Sequence, residues 1–251
     1  GSAYSENITE ANTVNSTSNN NTTQKKFNAD YTSLTISEST TLSTSSSSTV
    51  DINAKDNGTV TVESGSSIFS NGASSSNAIQ GKNQSGLTVT NSGTISAGNS
   101  KAINLLNAEN STITNNSGGI IKSNTNTITV TATNDNDANN VTINNSGEIY
   151  AEDVSRGDTS SNAVKSESDT DNITIINNSG GHIHNNNDYD NALRGSTVFV
   201  SSVSAATFTN SGTIENKAGV DAFALGLAGS GVTVNLKDKG KVIGRISIVG
   251  S

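Results

Sequence analysis

The 251 residues are 30% hydrophobic and 4% aromatic and include no Pro, Cys, Met or Trp, too few large apolar side chains to fill a broad core at normal density. A formal charge of −8 excludes the basic footprint of a nucleic-acid binder, and the lack of Cys removes disulfides and thiolate chemistry. Charged residues make up only 14%, low for a disordered chain, so a narrow solenoid needing few apolar residues per coil fits best.

Residues 1–30 carry no periodic pattern and are rich in Asn, Ser and Thr. They read as a polar N-terminal arm or an irregular first coil, and Gly1-Ser2 reads as a remnant of cloning. From residue 31 a repeat begins: a β-branched strand, Asn-Ser-Gly, then an aliphatic residue two positions on. SLTISESTTL at 33–42 and TVTVESGSSI at 59–68 are degenerate copies. LTVTNSGTI at 87–95, TITNNSGGI at 112–120, VTINNSGEI at 141–149, TIINNSGGHI at 174–183 and TFTNSGTI at 207–214 are clear ones, and VTVNLKDKGKVI at 232–243 closes the series. The triplet Asn falls at 91, 116, 145, 178 and 210.

Between triplets a small residue precedes an aliphatic one, at Ala78-Ile79, Ala102-Ile103, Ala163-Val164, Ala192-Leu193 and Ala222-Phe223, with Thr127–Val130 in the equivalent place of another copy. Each repeat thus holds three short strand-like pieces. Such repeats predict an all-β fold over 31–251: a single-stranded parallel β-helix of about eight coils, roughly 40 Å long at the usual strand spacing. Strand alternation predicts Leu87, Val89, Ile95, Ile103, Ile113, Ile120, Val141, Ile143, Ile149, Ile175, Ile183, Phe208 and Ile214 inside, with Thr outside. At the bends, Gly is expected to supply unusual backbone angles, and stacked Asn residues to exchange amide hydrogen bonds.

Polar inserts at 134–140, 152–160 and 185–190 lengthen some coils, and the last two fall at the same place in the coil. They are expected to project side by side from one edge, where function usually sits. Arg156, Gly157 and Asp158 lie in one insert and form the tripeptide of many integrin ligands, the candidate binding residues of the chain. His182 and His184 flank Ile183 and face outward; with Asp188 and Asp190 nearby they suggest a surface metal pair, against which a solvated pair is the plainer reading. Asp135-x-Asp137-x-Asn139 starts like a calcium loop but has Asn140 where Gly is required and Ser146 where Glu is required. Gly226-x-x-Gly229-x-Gly231 lacks the helix a phosphate site needs. No catalytic residue, cofactor or resident metal is assigned, and the chain is expected not to be an enzyme. No run of about 18 apolar residues and no polybasic stretch is present, so direct membrane insertion by this fragment is not expected.

Val-Thr-Asn-Ser-Gly-Thr-Ile at 89–95, nearly repeated at 208–214, and Gly-Lys-Val-Ile-Gly-Arg-Ile at 240–246 resemble the passenger domains of bacterial autotransporters, adhesins among them. The resemblance covers about residues 33–251. It implies a right-handed β-helix at the extracellular face of a Gram-negative bacterium, released or anchored by an outer-membrane barrel that this sequence does not contain. The apolar stretch 231–251, with no polar cap after Val249, is expected to have been cut from a longer chain. The implied function is a structural and adhesive rod, its partners a host cell surface, a glycan or a neighbouring bacterial cell. Two alternatives stand beside it. One is a carbohydrate-active β-helix of the polysaccharide-lyase or phage-tailspike kind. The other is an ice-binding face built on Thr88, Thr90 and Thr94, against which irregular coil lengths count.

Overall fold

The computed structural model describes residues 5–133, 138–152, 161–167, 170–202 and 204–249. Among them are three parallel sheets of ten, nine and eight strands. The chain visits the sheets in rotation. Ile79–Lys82 lies in the first, Thr88–Asn91 in the second and Thr94–Ala97 in the third. Ile103–Leu106 then returns to the first, in register on Ile79–Lys82. The eight strands of the third sheet mark eight complete coils, from Gln24 to Ile243. The protein is a parallel β-helix. Ser5–Ile8 and Ala11–Val14 add an incomplete coil before these eight, and Arg245–Val249 begins another after them.

Most strands are four residues long, so each sends about two side chains inward, and β-branched residues suit that pleated surface. Ile68, Ile95, Ile121, Ile149, Ile183 and Ile214 stack in one column of the third sheet, all fully buried. Each such burial contributes roughly 1.5–3 kcal/mol. The first complete coil breaks the apolar rule: Lys25 is fully buried and bonds the Glu6 carboxylate, which Asn20 also bonds. An unpaired ammonium there would be very costly.

The corner between the second and third sheets explains the Asn-Ser-Gly triplet. Across the clear copies it takes two residues (92–93, 146–147, 211–212) or four (116–119, 178–181). Asn91, Asn115, Asn145, Asn177 and Asn210 are buried, and each Nδ2 donates to the next Oδ1 at 2.9 Å. The ladder Asn is therefore the first of the pair in the two four-residue corners, rather than the triplet residues Asn116 and Asn178. Gly93, Gly147 and Gly212 serve closeness rather than unusual angles. A Cβ on Gly147 would meet Gly119 O at 2.3 Å. Among these five corners a glycine adopts positive φ only in the four-residue ones, at Gly118 and Gly180.

The longer corner also shifts the inward positions of the next strand. Ile121, not Ile120, is buried; Ile120 aligns with Thr94 and Glu148 on the outer face. Likewise Asn191-Ala192-Leu193 is not a strand: Ala192–Gly195 forms one helical turn capped by Asn191, and the aligned strand is Val198–Ser202. In the next coil Leu225, rather than Phe223, stands on Val198.

Insertions do not disturb the second sheet. Seven threonines, Thr59, Thr88, Thr112, Thr142, Thr174, Thr207 and Thr233, align in one outward column. A second column two residues on carries Thr61, Thr90, Thr114 and Thr209 but is interrupted by Asn144 and Ile176. Irregular coil length therefore does not count against an aligned Thr array: residues 134–140 come before the aligned positions of the second sheet, and the other long inserts leave at another corner.

Candidate functional site

That corner joins the third sheet to the first. Its segments are short in some coils, as at 98–102 and 124–127, and longest in two adjacent ones, 152–163 and 186–197. Where described, these two are tied together. Asn162 Nδ2 donates to Leu193 O (3.1 Å) and Ser196 O (2.5 Å), and Asn187 Nδ2 to Ser161 Oγ (2.7 Å). Buried Asn185 closes the base through Ser161 O and Gly195 O, and Asn216, its register partner one coil on, bonds Asn187 O, Gly195 O and Phe223 O. The inserts thus share one edge, held by buried amides that satisfy backbone carbonyls. Arg156, Gly157 and Asp158 lie outside the described residues, as do Asp135 and Asp137. Gly226 and Gly229 lie in a first-sheet strand, followed by the strand Val232–Leu236.

At the foot of this edge the outer face of the third sheet carries the densest chemistry among the described residues. Register places Glu148 beside His182 and Tyr150 beside His184, with Glu215 beside His184 on the following coil. The pairs cross diagonally: His184 Nε2 lies 3.0 Å from Glu148 Oε1, and His182 Nε2 lies 3.2 Å from Glu215 Oε1. The two imidazoles are 4.4 Å apart, and Tyr150 stacks on His184 at 4.6 Å, within 7° of parallel. Lys122 stands over the other side of this row, 6.0 Å from the Tyr150 ring centre. Burial pushes the His184 imidazole below its ordinary value; the hydrogen bond to Glu148 opposes this, and the charge of Lys217 and His182 adds to it. A groove of about 290 Å³ opens here, lined by Glu148, Tyr150, Glu152, His184, Asn186 and Lys217.

Comparison with protein-family models, with curated proteins and with solved structures returned no match.

The outward histidines were legible in the sequence, but their acidic partners were not. Asp190 instead pairs with Arg245 at 2.5 Å, and Arg245 lies over the Phe223 ring. The partners Glu148 and Glu215 come from other coils, 36 and 33 residues away from the histidines they meet. Stacking the copies NSGEIY, SGGHIHN and SGTIEN in register puts Glu148 over His182 and His184 over Glu215. That alignment is present in the repeat itself.

Proposed function

We propose that the chain is a structural and adhesive rod of the bacterial exterior, a passenger segment that displays polar loops to a host cell, a glycan or a neighbouring bacterium and acts by contact without catalysis. One observation carries this reading. The two longest inserts sit on adjacent coils, bonded to each other along one edge, while the corner behind them is locked by an amide ladder. A rigid stack that carries its two longest inserts side by side at one edge suits display. Loops on such a scaffold bind weakly one by one and gain strength through multiplicity. The net charge of −8 favours polar and cationic partners over nucleic acid.

The test is attachment of labelled protein to epithelial cells, to an immobilised glycan panel and to Gram-negative cells. Replacing Asp188–Asp190 by Gly-Ser-Gly is expected to reduce binding to at least one target by about tenfold or more under multivalent display. Binding to none of them, or binding indifferent to the replacement, removes the adhesive reading. Release of oligosaccharide from a polysaccharide panel replaces it with a carbohydrate-active one.

A second reading has its own observation, the unbroken seven-threonine column of the second sheet. Hydroxyls and methyls repeated in register along one sheet face suit an ordered water lattice. Thermal hysteresis that disappears on Thr142→Lys supports it; freezing behaviour like that of an ordinary protein excludes it.

A further inference from the structure

We propose that His182, His184, Glu148 and Glu215 form a binding site for a late first-row divalent cation of the Zn2+ class on the outer face of the third sheet. Two residues apart on one strand, His182 and His184 project to the same side with Cα atoms about 7 Å apart. Their rings converge to a centroid separation of 4.4 Å. The preceding coil supplies Glu148 and the following coil Glu215, and each carboxylate crosses to the farther histidine. The donor atoms of Glu148, His182 and His184 all lie within 4.8 Å of one another. Ligand bonds of about 2.0–2.1 Å in a tetrahedral zinc site put neighbouring donors about 3.4 Å apart, so side-chain rotations of up to about 1.4 Å close the Glu148, His182 and His184 set, and Glu215, 3.2 Å from His182 Nε2, is the fourth donor that must swing in.

The donor types select the ion. Two imidazoles with two carboxylates suit Zn2+ and its neighbours, whereas Ca2+ and Mg2+ take oxygen ligands almost entirely. Two neutral imidazoles with two carboxylates carry two negative charges, which a divalent cation cancels. Ring stacking of Tyr150 on His184 fixes the plane of that ligand, the role that outer contacts play around metals. One group opposes the ion: Lys217 lines the same groove. The plainer arrangement, two independent His–Glu pairs on a solvated face, explains each contact singly. It gives no reason for the donor atoms of Glu148, His182 and His184 to gather at one place.

Ala151 and Asn185 directly follow Tyr150 and His184 in the chain, and the long inserts spring from them. A bound cation thereby joins three successive coils at the base of the display edge, whatever the loops themselves contact.

The test is calorimetric titration of the chelator-treated protein with ZnCl2, with thermal melts alongside. One equivalent is expected, with a melting temperature that climbs with zinc concentration and visible absorption of four-coordinate Co2+ when Co2+ replaces Zn2+. His182→Gln and Glu215→Gln are expected to weaken binding by at least about tenfold, at or above the loss from an outer-shell change. The His182 side chain is 31% exposed, so its replacement should leave the fold intact by circular dichroism. Lys217→Gln touches no ligand and is expected to tighten binding. No heat and no melting shift in the wild-type protein overturns the proposal. So does zinc binding that persists in the His182→Gln, Glu148→Gln double variant, or Ca2+ binding as tight as Zn2+.

Discussion

The two corners on either side of the third sheet solve the same geometric problem in opposite ways. Where the second sheet turns into the third, every coil spends two or four residues, and Asn91 through Asn210 form an internal chain of amides. Where the third turns into the first, segment length varies widely, and closure relies on local bonds from Asn162, Asn185 and Asn216. The ladder corner fixes coil on coil, because a change in one rung strands polar groups on both neighbours. The insert corner is free to grow because its strands are already registered by the rest of the coil. Rigidity and variability are thus separated within each turn of the chain.

The sharpest way to break this contrast is Gly147→Ala. Its Cβ would meet Gly119 O at 2.3 Å and Asn116 O at 2.5 Å, so coils must part, and a loss of about 3 kcal/mol in urea unfolding is expected. Asn145→Ala comes next. It removes the donor to Asn177 Oδ1, the acceptor for Asn115 Nδ2 and the bonds to Gly147. About 2 kcal/mol is expected from the stranded buried groups. If both variants melt like the wild type, the ladder corner is not what locks the stack.

Acidification probes the face between the corners. His184 has its imidazole below the ordinary 6.5, so the unfolded chain binds more protons than the folded one as pH falls. Its contribution to stability is complete above about 6.5 and is lost as pH drops through the lower folded value. The melting temperature of chelator-treated wild type should fall across that window more steeply than that of His184→Gln; equal slopes would refute the assignment. Smallest of all is Asp190→Ala at the insert corner. Its pair with Arg245 is exposed on both sides, so a change within about 0.5 kcal/mol is expected. A loss as large as that of the ladder variants would abolish the distinction.

Strand alternation and the recurring triplet made the solenoid, its inward isoleucines and the shared edge of the inserts readable from the chain alone. The features that escaped depended on corner length. The corner at 116–119 is two residues longer than that at 92–93, and the inward position of the next strand falls at Ile121 in place of Ile120. The doubled Asn of 115–116 and 177–178 offers two ladder candidates, and only strand register chooses the first. Glu148 and Glu215 escaped because Asp188 and Asp190 are the acids nearest the histidines in sequence, whereas a solenoid brings together residues one coil apart. Lys25 had no signal, since a buried ammonium is recognisable only when Glu6 is seen against it. The tripeptide at 156–158 lies outside the described residues.

Because successive strands are parallel and lie across the long axis, the bonds joining one coil to the next point along it. A load applied between the two ends therefore opens rungs in sequence instead of shearing many at once. Each coil released lengthens from about 4.8 Å of stack to about 90–100 Å of extended chain of some thirty residues. Pulled from its ends, the molecule yields as a reel of line, giving out slack at nearly constant resistance while the remaining turns hold.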